Sequence, residues 1–156
     1  MTSIQLGALS PSFNAVCDDG SRIELSELRG KNVVLYFYPK DDTPGCTIEA
    51  QDFTQNIEKF VSLDTVILGV SRDSIKSHCN FIQKYNLAFN LISDEDGEIC
   101  SVYGVLKEKS MFGKKYIGIE RSTFLIDKRG NILKIWQPVK INGHIDEILG
   151  FLAKME

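Results

Sequence analysis

The sequence contains no CxxC pair, and its four cysteines, Cys17, Cys46, Cys79 and Cys100, lie far apart. With only two histidines, His78 and His144, the spacing of a Cys/His metal site is also missing. No metal or cofactor is therefore called for. No apolar run approaches the roughly 20 residues that a membrane helix needs. Met1 to Ser12 lacks the basic start and apolar stretch of an export signal. A cytoplasmic location is expected, with thiols that rest unpaired and form disulfides only transiently. The net charge of −3 supplies no basic field for nucleic acid or an anionic membrane. No repeat, linker or low-complexity segment divides the chain, so residues 1–156 are read as one domain.

The chain does contain an apolar stretch, Val33-Val34-Leu35-Tyr36-Phe37-Tyr38, leading into Pro39-Lys40-Asp41-Asp42-Thr43-Pro44-Gly45-Cys46. The stretch is short, β-branched and aromatic, without alternation, which is the pattern of a fully buried strand. Pro39 ends it. Thr43 is a good helix N-cap, and Pro44 falls at the first helical position, where a missing N–H is no loss. Cys46 then lies in the first turn, beside unpaired N–H groups and the positive end of the helix dipole, a setting that favours a thiolate. Cys46, Ala50, Phe53, Ile57 and Phe60 follow at spacings of +4, +3, +4 and +3, one inward face of a single helix. That stripe fits a half-shielded reactive thiol and an inert buried one equally well, since burial raises a thiol's pKa.

The remaining elements fall in order. Phe13 to Val16 and Arg22 to Leu25 read as a hairpin about Asp18-Asp19-Gly20. Val66 to Val70 is a second buried strand, followed by a helix over Ser74 to Tyr85 with Asp73 as cap and Ile75, Cys79 and Ile82 on one face. Leu91-Ile92 is a short strand, Asp94 to Gly97 a solvated acidic turn, Ile99 to Tyr103 a helical turn, and Lys107 to Lys115 a basic loop. Asp41 and Asp42 are expected to point to water, and both histidines to be surface or capping residues. Ser122 to Ile126 and Ile132 to Trp136 flank a short turn and so form an antiparallel hairpin. Gly143 to Lys154 closes the chain as a helix with Ile145, Ile148, Leu149 and Leu152 inward. The βαβ centre implies parallel strands joined by a right-handed crossover. The expectation is an α/β fold: a central mixed sheet flanked by helices, with N-terminal and C-terminal β-hairpins. In such sheets the C-terminal strand ends, where Cys46 lies, carry ligand sites.

The segments Tyr36-Phe37-Tyr38-Pro39-Lys40, Thr43-Pro44-Gly45-Cys46-Thr47, Gly69 to Asp73, Ser93-Asp94 and Gly118 to Asp127 together resemble the peroxiredoxins, most closely the bacterioferritin comigratory protein or Q-type subfamily. The likeness runs from about Leu9 to Leu152. It implies a thioredoxin-like fold and a thiol peroxidase acting on hydrogen peroxide and organic hydroperoxides. By resemblance, Cys46 is the peroxidatic nucleophile and becomes a sulfenic acid. Thr43 offers its hydroxyl to thiolate and peroxide, and Pro39 shields the site. Arg121 faces the sulfur, and Glu49 orients that arginine. The residue types suit this chemistry: a fixed cation favours a thiolate, and fixed donors stabilise charge developing on the peroxide oxygens.

Many relatives carry a resolving cysteine five residues after the nucleophile; position 46 + 5 = 51 is Gln51 here. Others place it in the next helix, where Cys79 is a candidate about one turn early. Otherwise an external thiol must reduce Cys46. The implied reductants are thioredoxin, glutaredoxin or glutathione, acting on a monomer or weak dimer. A thioredoxin-like disulfide reductase and a cysteine-based redox sensor are the rival functions. The absent CxxC speaks against the first, and repeated turnover would separate an enzyme from the second.

Overall fold

Strand β3, Asn32–Phe37, is buried at every position, as its unbroken apolar pattern predicts. The computed structural model describes residues 4–155 and builds a seven-stranded sheet around this strand. The other strands of that sheet are β1 (Asn14–Cys17), β2 (Arg22–Glu24), β4 (Thr65–Ser71), β5 (Asn90–Ser93), β8 (Ser122–Ile126) and β9 (Ile132–Trp136). Their spatial order is β2-β1-β5-β4-β3-β8-β9. β5, β4 and β3 run parallel, while β1 against β5, β8 against β3, and both terminal hairpins are antiparallel. The mixed sheet with hairpins at either end is the architecture that the residue pattern predicts.

Alternate residues of β3 serve two cores, as a strand's period of two requires. Val33, Leu35 and Phe37 pack with Ile99 and Cys100 of α4 (Glu98–Val102) and with Tyr103. Val34 and Tyr36 pack on the other face, with Ala50 and Phe53 of α1 (Pro44–Gln55) and Phe60 of α2 (Ile57–Ser62). Phe81 of α3 (Ile75–Tyr85) and Ile145, Ile148 and Leu152 of α5 (His144–Ala153) complete that core. Among the described residues no helix is long and apolar enough to cross a membrane.

Several elements differ from the sequence pattern. The stripe from Cys46 to Phe60 is carried by two helices, not one. Asn56 interrupts them, its side-chain amide donating to the Asp52 carbonyl at 2.8 Å, and a helix-interior asparagine that engages backbone in this way competes with the helical ladder. The segment Lys107 to Lys115 is part of a second, two-stranded sheet, β6 (Leu106–Met111) and β7 (Lys114–Ile119), with Phe112 exposed at its tip. The cap of α3 is Ser74, whose hydroxyl accepts from the Ser77 N–H; the Asp73 carboxylate is taken up by the Asp41 N–H and the Ser71 hydroxyl. Asp94 is buried and accepts from the N–H groups of Ile99 and Cys100, so the acidic turn is only partly solvated.

Candidate active site

Two segments meet at the C-terminal end of β3. The first is the start of α1. Thr43 has extended backbone and caps α1 through its carbonyl, which accepts from the Thr47 N–H at 2.8 Å. Its hydroxyl donates to the Lys40 carbonyl at 2.8 Å and does not cap the helix. What that oxygen can offer a bound peroxide is therefore its lone pairs. Cys46 in the first turn is buried, at 2 % exposure.

The second segment is the link between β7 and β8. Phe37 pairs with Ser122 across the β3/β8 ladder, so the residue just before β8 arrives beside the end of β3. That residue is Arg121. Its Nη2 donates to Cys46 Sγ at 3.4 Å, and its Nη1 donates to Glu49 Oε1 at 2.8 Å. Glu49 lies three residues beyond Cys46 and so on the same helix face. The structure thus brings Cys46, Arg121 and Glu49 together. Gly45 makes room for the approach: a Cβ there would lie 3.2 Å from both Arg121 Nη2 and Ile141 Cδ1.

Burial pushes the Glu49 carboxyl up to about 7, against the opposing pull of the Arg121 charge. Arg121, which burial would lower, is held above its ordinary value by Glu49 and Cys46. The folded protein therefore binds the Glu49 proton more tightly than the unfolded chain does. Between the ordinary value of 4.5 and about 7, this group makes unfolding free energy fall as pH rises. Glu49→Gln should remove that component. Chemical denaturation of both proteins across this interval should show the wild type losing up to about 1.4 kcal/mol more per pH unit than the variant. Parallel profiles would refute the assignment.

The other thiols occupy different settings. Burial, with Asp18 and Asp19 adding to it, pushes Cys17 up to about 12. Burial and the neighbouring Asp94 push Cys100 well above the usual thiol range. Cys79 is half-buried and donates to the Asp18 carbonyl at 2.9 Å, toward the β1–β2 turn. β1 lies three strands from β3 in the sheet, roughly 14 Å at the usual strand spacing. Pro39 is half-buried and lines a shallow depression with Arg72, Glu95 and the β7 residues Tyr116 to Ile119.

The structure also supplies groups that the residue pattern missed. Lys109 of β6 folds back to donate to the Ile119 carbonyl at 2.5 Å; burial and the Arg121 charge lower it, and Cys46 acts in the opposite sense. Only the β6–β7 pairing brings it there. Asp41 and both histidines are buried, contrary to expectation. His144 Nε2 lies 2.8 Å from the Thr123 hydroxyl, and burial pushes it down to about 4. His78 pairs with Asp41 at 2.7 Å. These partners are 21 and 37 residues apart, so no local spacing reveals them.

A thioredoxin-like sheet with a buried cysteine on the helix after its central strand, faced by a fixed arginine, defines a cysteine-based oxidoreductase. Comparison with known proteins specifies the kind. Residues 6–135 match the AhpC/TSA family. Peroxiredoxin Bcp of Bacillus subtilis is 48% identical over 153 residues, spanning 98% of each chain. The solved structure of Xanthomonas campestris bacterioferritin comigratory protein, described for its alkyl peroxide reduction activity, is 44% identical. It superposes with a TM-score of 0.87 over 92% of this chain and 91% of its own. PrxQ of Xylella fastidiosa, crystallised as a cysteine-to-serine variant, superposes at 0.93 over 100% of both chains with 38% identity. The chain belongs to the AhpC/TSA family and is a peroxiredoxin of the Bcp or Q kind, a thiol peroxidase.

Proposed function

We propose that Cys46 is the nucleophile of this peroxidase, with Arg121, Glu49, Thr43 and Pro39 forming its pocket. The observation that carries this reading is the Arg121 contact to Cys46 Sγ at 3.4 Å, which sets a permanent cation against one of four cysteines. The sulfur attacks one peroxide oxygen, the O–O bond breaks, and the second oxygen leaves with the bonding pair and takes up a proton. Arg121 and the N–H groups of the first turn of α1 are placed to stabilise the charge developing on those oxygens. The Thr43 oxygen accepts from the peroxide O–H, and Glu49 fixes the guanidinium plane. Lys109 adds a second positive group on the same side.

The resulting sulfenic acid is returned to the thiol by thioredoxin, glutaredoxin or glutathione, in the cytoplasm, with the chain acting as a single domain and as a monomer or weak dimer. Cys79 is the internal candidate for resolution. A disulfide requires Cα atoms within about 7 Å, so the start of α1 must unwind before those two sulfurs meet. Mass spectrometry after one equivalent of peroxide tests the assignment. Sulfenic acid at Cys46, trapped by a dimedone-type probe, is expected as the first product, and oxidation starting at any other cysteine would overturn it. A subsequent Cys46–Cys79 linkage would make Cys79 the resolving thiol; a glutathione adduct at Cys46 would make the reductant external.

A further inference from the structure

The loop that carries Thr43 and leads to Cys46 is fastened to α3 by two consecutive aspartates. Asp42, at φ 57°, accepts from Lys84 at 2.8 Å and from the Tyr85 hydroxyl at 2.6 Å, both exposed. Asp41 is buried. Its Oδ1 accepts from the Tyr38 hydroxyl at 2.6 Å, and its Oδ2 accepts from the Ser77 hydroxyl at 2.8 Å and lies 2.7 Å from His78 Nδ1. Its backbone N–H donates to Asp73 at 2.8 Å. The other ring nitrogen of His78, Nε2, lies 2.9 Å from the Ile92 carbonyl of β5.

This arrangement fixes the proton on Nε2 and places a second proton between Nδ1 and Asp41. A carbonyl oxygen only accepts, so Nε2 must carry a proton. With Asp41 ionised, its oxygen only accepts, so Nδ1 must carry one as well. A ring that meets both demands is an imidazolium. A neutral ring would leave a lone pair facing an oxygen in a site with no exposure to water. The titratable groups facing the ring are Asp41 and Tyr38 from the β3–α1 segment and Asp73 from the β4–α3 turn; β5 contributes the Ile92 carbonyl. Ligand atoms of Asp41, Asp73 and His78 converge within 4.8 Å, so a protonated ring would set its charge between two carboxyl groups.

We propose that Asp41 and His78 form a proton-dependent latch, which holds the nucleophile loop against α3 and sets how readily Cys46 is released to the thiol that reduces it. Both are positioning residues and neither touches the peroxide. The proposal rests on the reading of Cys46 as the nucleophile, because only then must the start of α1 open during each cycle. Burial alone would push His78 down, but Asp41, the Ile92 carbonyl and Asp73 hold it above the ordinary 6.5. A histidine with a raised folded value contributes stability that is complete below 6.5 and lost as pH rises through that raised value. The latch is closed in mild acid and loosens toward alkaline pH.

Two measurements on the reduced wild-type protein test this without peroxide. Nitrogen-15 NMR of the His78 ring at pH 6.5 should show both nitrogens protonated and a midpoint above 6.5. Hydrogen-exchange protection of amides 45–47 should fall by up to tenfold per pH unit from 6.5 to that midpoint and level off beyond it. In His78→Gln protection should be lower at pH 6.5 and lack this component, leaving only that of Glu49, which ends near pH 7. The Cys46 sulfenic acid of His78→Gln should react with glutathione about tenfold faster than wild type at pH 6.5, while the peroxide step changes less than about threefold. A neutral His78 ring at pH 6.5, or an unaltered pH profile in the variant, would overturn the latch. Should His78→Gln fail to fold, the wild-type NMR titration and exchange profile decide. Loss of the enzymatic reading would instead appear as peroxide turnover by a protein lacking Cys46.

Discussion

Cys46→Ser should abolish peroxide consumption, with a loss of at least about four orders of magnitude, the scale on which removal of a nucleophile acts. A serine hydroxyl is not ionised at neutral pH and cannot take oxygen to form a stable product as sulfur does. The remaining thiols offer no substitute. Cys17 and Cys100 are buried, and their surroundings favour the protonated form. Cys79 is engaged with the Asp18 carbonyl, and no guanidinium contact to it is seen among the described residues. The substitution is nearly isosteric, and the serine oxygen can accept from Arg121 as the sulfur does. The variant should therefore fold, with a thermal midpoint within a few degrees of wild type. Peroxide consumption in the presence of a reducing thiol, followed directly, decides the matter. Turnover above about a tenth of wild type would remove Cys46 from the mechanism.

Arg121→Ala should be the next most damaging change, and for two separable reasons. The donor to the sulfur disappears, which should lower the rate of Cys46 oxidation by about 10² to 10³, the usual consequence of losing one fixed donor to developing charge. Glu49 also loses its partner. Its Oε1 is then left as bare as Oε2, which has no hydrogen-bond partner among the described residues. Removing one member of a buried ion pair costs about 3–5 kcal/mol when the other stays charged. Glu49 escapes part of that by staying protonated, because burial already holds it near 7. The destabilisation should therefore be largest above pH 8 and shrink toward pH 5. Arg121→Lys keeps the charge but not the two-pronged geometry, so it cannot serve Cys46 and Glu49 together. Its rate should fall between those of wild type and Arg121→Ala. Stopped-flow oxidation combined with denaturation at pH 5 and pH 8 checks both parts. A rate within threefold of wild type for Arg121→Ala would mean that the contact to sulfur has no catalytic consequence.

Residues that act through their neighbours in sequence were legible. Ser122 to Ile126 and Ile132 to Trp136 are strands over the residues their apolar pattern marks, and α1 starts at Pro44 after Thr43 as expected, although the Thr43 hydroxyl goes to the Lys40 carbonyl and not to the helix. What escaped depends on partners brought from afar. β6 and β7 are exposed along most of their length, so neither shows the alternation that marks a half-buried strand. On α3 the apolar residues Ile75, Cys79 and Ile82 are half-buried, and the fully buried positions beside them are His78 and Phe81. A buried histidine is intelligible only once Asp41 and the Ile92 carbonyl are known to meet it. Arg121 stands 75 residues from Cys46 and is joined to it by the β3/β8 register. Only the resemblance to a family could place it there in advance.

The two-aspartate fastening between the loop leading to Cys46 and α3 has a consequence for the working life of the protein. A sulfenic acid held in a closed pocket is hidden from bulky thiols but not from a second small peroxide. That second encounter gives sulfinic acid, which thiols do not reverse. With Cys46 as the proposed nucleophile, every additional hydrogen bond that steadies it for its first reaction lengthens its exposure to the second. The exposed pair Asp42–Lys84 and the buried pair Asp41–His78 differ in how easily they let go, because water and salt screen the former and not the latter. If the inner pair acts as the proposed latch, it sets how many peroxides the molecule survives, and it does so with groups that never meet the substrate.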